Sequence, residues 1–466
     1  MQNVKTKRYE MDMTSGNLFK KIVKFSIPLM LTGILQLLYN AADLIIVGQF
    51  SNEPNALGAV GSTSSLINLT VNLFMGLSVG ANVVTARTYA AKNEERLSKV
   101  VHTAISIAAI SGVFLAIFGF VFAEQLLDMM NNPNELALKY IRIYFIGIPV
   151  MMIYNFAASI LRGVGDTKRP MYYLMISGAI NVVLNLFFVV VFKMDVDGVA
   201  LATILSQLIA CIMIMSCLMK TKQAYRFEIK KITISKDELI DIVKIGLPAG
   251  IQGSIFSISN VVIQSGVNRF GNIVINGNSA AQSIGGFVYT AMNSVYHAAL
   301  AFTGQNVGAK KYYNIKKIAI YSLLFVTMVG LTTGGFATLF SKQLIGIYTK
   351  DPTEIEIGVI RVWIYCIPYF LYGMIDVMVG LLRGLGKSLT PMIVSIIGIV
   401  GFRILWVYLI FYPIADFENM YNVIYLYISY PISWIVTLSI HTTMFLIVYK
   451  KLMKKEKTQE HLENAQ

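Results

Sequence analysis

Apolar runs of twenty residues and more recur along this chain and leave it little choice of fold. Twelve are legible, at about 24–50, 57–86, 97–122, 138–161, 171–192, 198–219, 239–268, 278–303, 316–340, 358–382, 390–412 and 423–449. A helix rises about 1.5 Å per residue, so each run can cross a bilayer core of roughly 30 Å. Strands of a membrane barrel would be about ten residues long with strict alternation. The expectation is an all-α membrane protein with twelve transmembrane helices. Composition agrees, with 14% charged residues against about 25% in a soluble domain. The residues ahead of the first run are polar, and that run is too long for a signal-peptide core, so it is expected to stay in place.

Lysine and arginine set the orientation. With the N-terminus in the cytoplasm, 31 of the 39 fall in cytoplasmic segments and seven outside. Arg403 alone lies well inside a run. This is the positive-inside bias of a multi-pass protein, with both termini cytoplasmic. It accounts for the net charge of +14 without any nucleic-acid partner. The three cysteines, Cys211, Cys217 and Cys366, lie in apolar runs without metal-ligand spacing and read as small buried residues.

The chain is a tandem repeat. Pro28 in KFSIP matches Pro248 in KIGLP, Pro133 matches Pro352, and Pro149 matches Pro368. LRGVGDTKRPM at 161–171 matches LRGLGKSLTPM at 382–392. Eight of the eleven prolines thus pair at offsets of 219 to 221. Six segments return the chain to the same side, so the repeats are parallel and related by an axis along the membrane normal. The expected organisation is a six-helix lobe over 1–219, a basic cytoplasmic linker over 220–238, a second six-helix lobe over 239–450 and a polar, disordered tail over 451–466. Two such lobes would leave a cleft suited to alternating access. The glycines of the LRG loops read as tight turns. A nucleotide phosphate loop would need a preceding strand and a lysine-serine or lysine-threonine pair at the right spacing, which are missing.

SIPLMLTGILQLLYNAADLIIVGQF in the first segment, together with the paired LRGVGDT and LRGLGKS loops, resembles the multidrug and toxic compound extrusion (MATE) family. The resemblance runs from about Leu18 to Lys450. It implies twelve helices in two lobes and cation-coupled efflux of organic, often cationic, drugs.

Within the first segment the stretch Phe25–Phe50 carries one charge, Asp43, at a cost of roughly 2.5–3.5 kcal/mol at membrane depth. Asn181 and Asn185 stand one turn apart on the fifth segment, and Thr203 is on the sixth. Counted from the outer helix ends, Asp43, Asn185 and Thr203 share a layer roughly 9–12 Å deep, with Asn181 one turn deeper. One carboxylate, two amide oxygens and a hydroxyl are hard donors that suit a small hard cation. The same carboxylate could instead carry a proton, or the four could form a packing cluster. In one branch of the resembled family the positions matching Asp43, Asn181, Asn185 and Thr203 form a cation site, with aspartate often standing where this chain has Asn185. In the second repeat, Asp43 corresponds to about Ile263 or Gln264, and Asn181 and Asn185 to about Phe402 and Trp406, so no site of that kind is expected there. Another branch uses an acid in the seventh segment, where this chain has Phe256.

Asp376, its repeat partner Asn155, His297 and Arg403 are the substrate-pathway candidates, and Asp376 could pair with Arg403 or with a cationic substrate. Pro28, fifteen residues before Asp43, is the candidate hinge. The expected function is a secondary antiporter, exporting organic, cationic and lipophilic drugs or metabolites in exchange for H⁺ or Na⁺. It would act as a monomer in the plasma (inner) membrane. No cofactor is expected beyond the coupling ion, and no metal beyond Na⁺ at Asp43. The alternative is a flippase for a lipid-linked precursor. An enzyme is disfavoured by the lack of HExxH, a serine–histidine–aspartate set or paired aspartates.

Overall fold

The computed structural model describes residues 9–50, 56–128 and 135–463. Every regular element among them is helical. The first repeat contains α1 (Leu18–Phe50), α2 (Ala56–Ala90), α3 (Glu94–Asp128), α4 (Glu135–Gly163), α5 (Lys168–Leu186) and α6 (Val196–Lys220). The second contains α7 (Lys236–Asn268), α8 (Asn272–Gly308), α9 (Tyr313–Leu339), the short α10 (Ser341–Ile345), α11 (Pro352–Cys366) and α12 (Phe370–Gly384). It ends with α13 (Leu389–Ser395), α14 (Phe402–Trp406), α15 (Tyr412–Ile414), α16 (Val423–Tyr427) and α17 (Ser429–Glu463).

Nine helices among the described residues are long and apolar enough to cross a membrane, or up to ten if the α11–α12 pair is one span. The tenth expected segment is therefore not a straight rod. α11 and α12 meet at 43° around Pro368, which has no N–H to continue the helical ladder. α8 is 37 residues long but spends much of that length on Asn, Ser, Gly and Gln. The last segment also departs from expectation, because α17 continues through the polar tail to Glu463 instead of ending near Lys450. Its lysines and glutamates are good helix formers at an exposed end.

π-Helical turns interrupt the α-helical ladder at matching ends of both repeats. One follows α5, at Phe187–Val191. Two flank α14, at Ile396–Gly401 and Val407–Phe411. The paired glycine loops turn as their sequence suggests, with Gly165 and Gly386 at φ of 96° and 75°.

The chain divides into two compact units. The first holds the described residues of Met1–Asp12 and Leu31–Ser254, the second Met13–Met30 and those of Ile255–Gln466. The boundary falls inside α1, two residues after Pro28, and inside α7, six residues after Pro248. In the first unit α4 packs on α2, α3 and α6, and α5 packs on α6. In the second, α8 packs on α9, α11 and α12, and α12 on α9 and α17.

Candidate functional site

Helix α1 is held against α5 by a ring over a glycine. The Tyr39 hydroxyl donates to the carbonyls of Leu174 at 3.3 Å and Met175 at 3.4 Å. Its ring lies where a Cβ on Gly178 would stand, so only glycine admits this approach. One turn further along α1 is Asp43, and one and two turns further along α5 are Asn181 and Asn185. A bond from the Ser177 hydroxyl to the Ser206 carbonyl, at 2.6 Å, fixes α5 against α6 and so positions Thr203.

The four side chains predicted from helix depth do converge. The Asn185 amide donates to Asp43 Oδ1 at 2.5 Å and to Asn181 Oδ1 at 3.3 Å. Thr203 donates to Asp43 Oδ2 at 3.4 Å, and the Asn181 amide to the Thr203 hydroxyl at 3.4 Å. Asp43, Asn181 and Asn185 are buried and Thr203 is half-buried. Asn185 Oδ1 is buried and lacks a hydrogen-bond partner among the described residues. The Asp43 oxygens, this orphaned oxygen and the Thr203 hydroxyl are the donor set a small hard cation would use, so the residues fit one. Among the described residues, no three histidine, cysteine or acidic side chains gather as a metal site. Sequence reasoning missed Tyr140 and Tyr144 of α4, which lie within electrostatic range of Asp43. Their spacing of four put them on one helix face, but nothing in the sequence aimed that face at α1.

The second unit holds the other candidates. Asp376, buried in α12, lies beside Asn293, whose amide donates to the Tyr289 hydroxyl at 3.1 Å, and within electrostatic range of Arg383, not paired with Arg403. Its Oδ2 has no partner among the described residues. Arg403 is buried over the Tyr430 ring, 4.2 Å from its centroid, and donates Nε–H to the Ser433 hydroxyl at 3.4 Å. His297 is half-buried, its ring edge-on to Tyr296 at 4.9 Å. Asn155, in the first unit, spends its amide on its own helix, donating to the Met151 carbonyl at 2.8 Å. Pro28 is buried inside α1. Asn293, with Tyr289 and Tyr372, was not legible as part of a site from sequence.

Long apolar helices and a polar cluster buried around one carboxylate mark a multi-span membrane protein of the helical-bundle type. The MatE family model matches the chain twice, over residues 28–187 and again over 248–409, beginning at Pro28 and at Pro248. The chain belongs to the MATE family, and it is a transporter, not an enzyme. It is 26% identical over 448 residues to the "Probable multidrug resistance protein YoeA" of Bacillus subtilis, covering 93% of this chain and 95% of that one. It is 27% identical over 403 residues to the "Probable multidrug resistance protein NorM" of Thermotoga maritima, covering 82% and 83%. The fold matches an outward-facing structure of a MATE family transporter of the MOP superfamily with a TM-score of 0.86, at 23% identity over 95% of this chain and 98% of that one. A MOP superfamily transporter from Pyrococcus furiosus matches with a TM-score of 0.87, at 23% identity over 94% and 98%.

Proposed function

We propose that this protein exports organic molecules, multidrug substrates among them, in exchange for H⁺ or Na⁺ taken at Asp43. The observation that carries this reading is the Asp43 cluster: one carboxylate in an apolar bundle, ringed by oxygen donors, with one amide oxygen left over. A charge in a membrane span costs stability, and a coupling site is the standard return for it. The names of the relatives support drug export as the transported cargo.

The coupling follows from differential affinity. Asp43 binds its cation best in one state and the organic substrate favours the other, so each releases the other as the protein reorients. Pro28 removes one backbone hydrogen bond from α1 fifteen residues before Asp43, which lets the helix bend as the carboxylate is neutralised. Twelve membrane spans, cytoplasmic termini, residence in the plasma membrane and action as a monomer complete the proposal. No cofactor is required beyond the ion gradient.

The test is dye efflux from proteoliposomes with a pH gradient or a Na⁺ gradient imposed separately. At least one gradient is expected to drive efflux by the wild type, and neither by Asp43→Asn. Gradient-driven efflux at wild-type rate by that variant would overturn the assignment.

A further inference from the structure

The second repeat also carries an intramembrane charge, and it is positive. Arg403 lies about midway along the Leu389–Ile414 span, where a lone guanidinium costs roughly as much as a lone carboxylate. It is 6% exposed, and among the described residues no carboxylate pairs with it. Its one hydrogen bond is the 3.4 Å contact from Nε to Ser433, which leaves both Nη nitrogens unpartnered among the described residues. One residue beyond Ser433, Trp434 is 1% exposed, and its indole Nε1–H is buried without an acceptor. The two groups are donors only. Arg403 thus carries an unpaired charge, and the Trp434 N–H nearby in the same aromatic cluster is buried with no acceptor among the described residues.

The repeat shows where this cluster came from. The family matches begin at an offset of 220 and end at an offset of 222. At the later offset Arg403 stands for Asn181, one residue on from the Phe402 that the loop offset of 221 gives. The place where the first repeat gathers acceptors around Asp43 thus holds donors in the second. π-Helical turns on either side of α14 set the direction of Arg403, and such turns are frequent at functional sites.

The geometry points to Arg403 and Trp434 as an anchor for the anionic group, carboxylate or sulfonate, of an aromatic substrate. An aromatic cluster adjoins the arginine. Tyr430 and Trp434 are 5.9 Å apart, Trp434 stacks on Tyr369 at 5.2 Å, and Tyr372 lies 5.9 Å from Trp434. Tyr372 is within electrostatic range of both Arg403 and Asp376, whose Oδ2 lacks a partner among the described residues. A zwitterion would set its anionic end on Arg403 and its cationic end toward Asp376. This inference rests on the export reading for its physiological meaning, but binding alone tests it.

Two dyes with the same ring system make the test: rhodamine B, which carries a free carboxylate, and its ethyl ester, which does not. Equilibrium binding is measured on the purified full-length protein in detergent, with no gradient present. The Arg403→Gln variant is expected to bind the acid about tenfold more weakly and the ester within about twofold of wild type. Arg403→Lys should hold the acid within about threefold. Trp434→Phe, which keeps the ring and loses the N–H, should weaken the acid severalfold and spare the ester. It decides the matter if Arg403→Gln does not fold. Equal loss of both dyes, unchanged acid binding in the variants, or no acid binding by the wild type would overturn the proposal. Failure of gradient-driven efflux would leave these ratios intact, so the two readings fail separately.

Discussion

Asn185 donates its amide to the Asp43 carboxylate across 2.5 Å and thereby ties α5 to the one acid of α1. The bond joins two membrane helices through a charge, and its removal separates a structural from a functional role. Asp43→Asn keeps the shape and removes the charge. Burying a carboxylate costs more than burying an amide, so the variant's melting temperature is expected to equal or exceed that of wild type. Efflux driven by an ion gradient should fall at least about tenfold. A thermal melt and a proteoliposome assay on the same preparation check both outcomes. A large drop in melting temperature with residual coupling would mean the cluster serves packing.

Asn185→Asp places a second carboxylate against the first. Like charges at that separation cannot both persist without a cation or a proton between them. In Na⁺-free buffer near neutral pH the variant should melt lower than wild type, and added Na⁺ should recover more of its stability than choline at equal ionic strength. Equal responses to the two salts would remove Na⁺ from the site.

Gly178 is where the ring of Tyr39 rests on α5. Gly178→Leu fills that space and forces α1 away, at an expected cost of about 1–3 kcal/mol in stability. Coupled efflux should fall with it, because Asp43 sits one turn beyond Tyr39. Adding Tyr39→Ala should restore part of the stability. A double variant no better than Gly178→Leu would show that some other contact sets the approach.

Asp166, in the turn ahead of α5, has a fully buried side chain. It accepts from the backbone N–H groups of Lys168 and Arg169 at 3.1 Å and forms an ion pair with the Arg169 side chain. Burial pushes its carboxyl up from the usual range, and Arg169 opposes that shift. Arg169→Met would leave the carboxylate unpaired and should cost about 3–5 kcal/mol, whereas Arg169→Lys should cost less. Thermal melts of the two variants check the order.

Much of the first site was legible because helical rise is constant. Counting from helix ends placed Asp43, Asn185 and Thr203 in one layer and Asn181 a turn deeper, and all four meet. Rotation about a helix axis is harder to read. Tyr140 and Tyr144 share a face, but only packing aims that face at Asp43. Asn155 and Asp376 occupy the same repeat position, yet the amide folds back on its own helix while the carboxylate meets Asn293. Pro368 was visible as a repeat mark, and the bend it produces between α11 and α12 was not drawn from it. The donors around Arg403 were hidden for a further reason. Three π-helical turns shift the angular register of their helices, and no periodicity of 3.6 reports them.

Those turns also bear on ancestry. A π turn is what a helix retains when one residue is inserted and the flanking ladder closes around it. The offset between the repeats is 221 at the paired LRG loops and 222 at the ends of the two family matches, so the second half is one residue longer across the stretch that holds Ile396–Gly401. Deleting one residue from Ile396–Gly401 would restore the older phase and swing Arg403 through roughly 100°. A single-codon indel, more readily than any substitution, is therefore the mutational step by which this lineage could gain or lose a buried positive charge in one half while leaving the other unchanged.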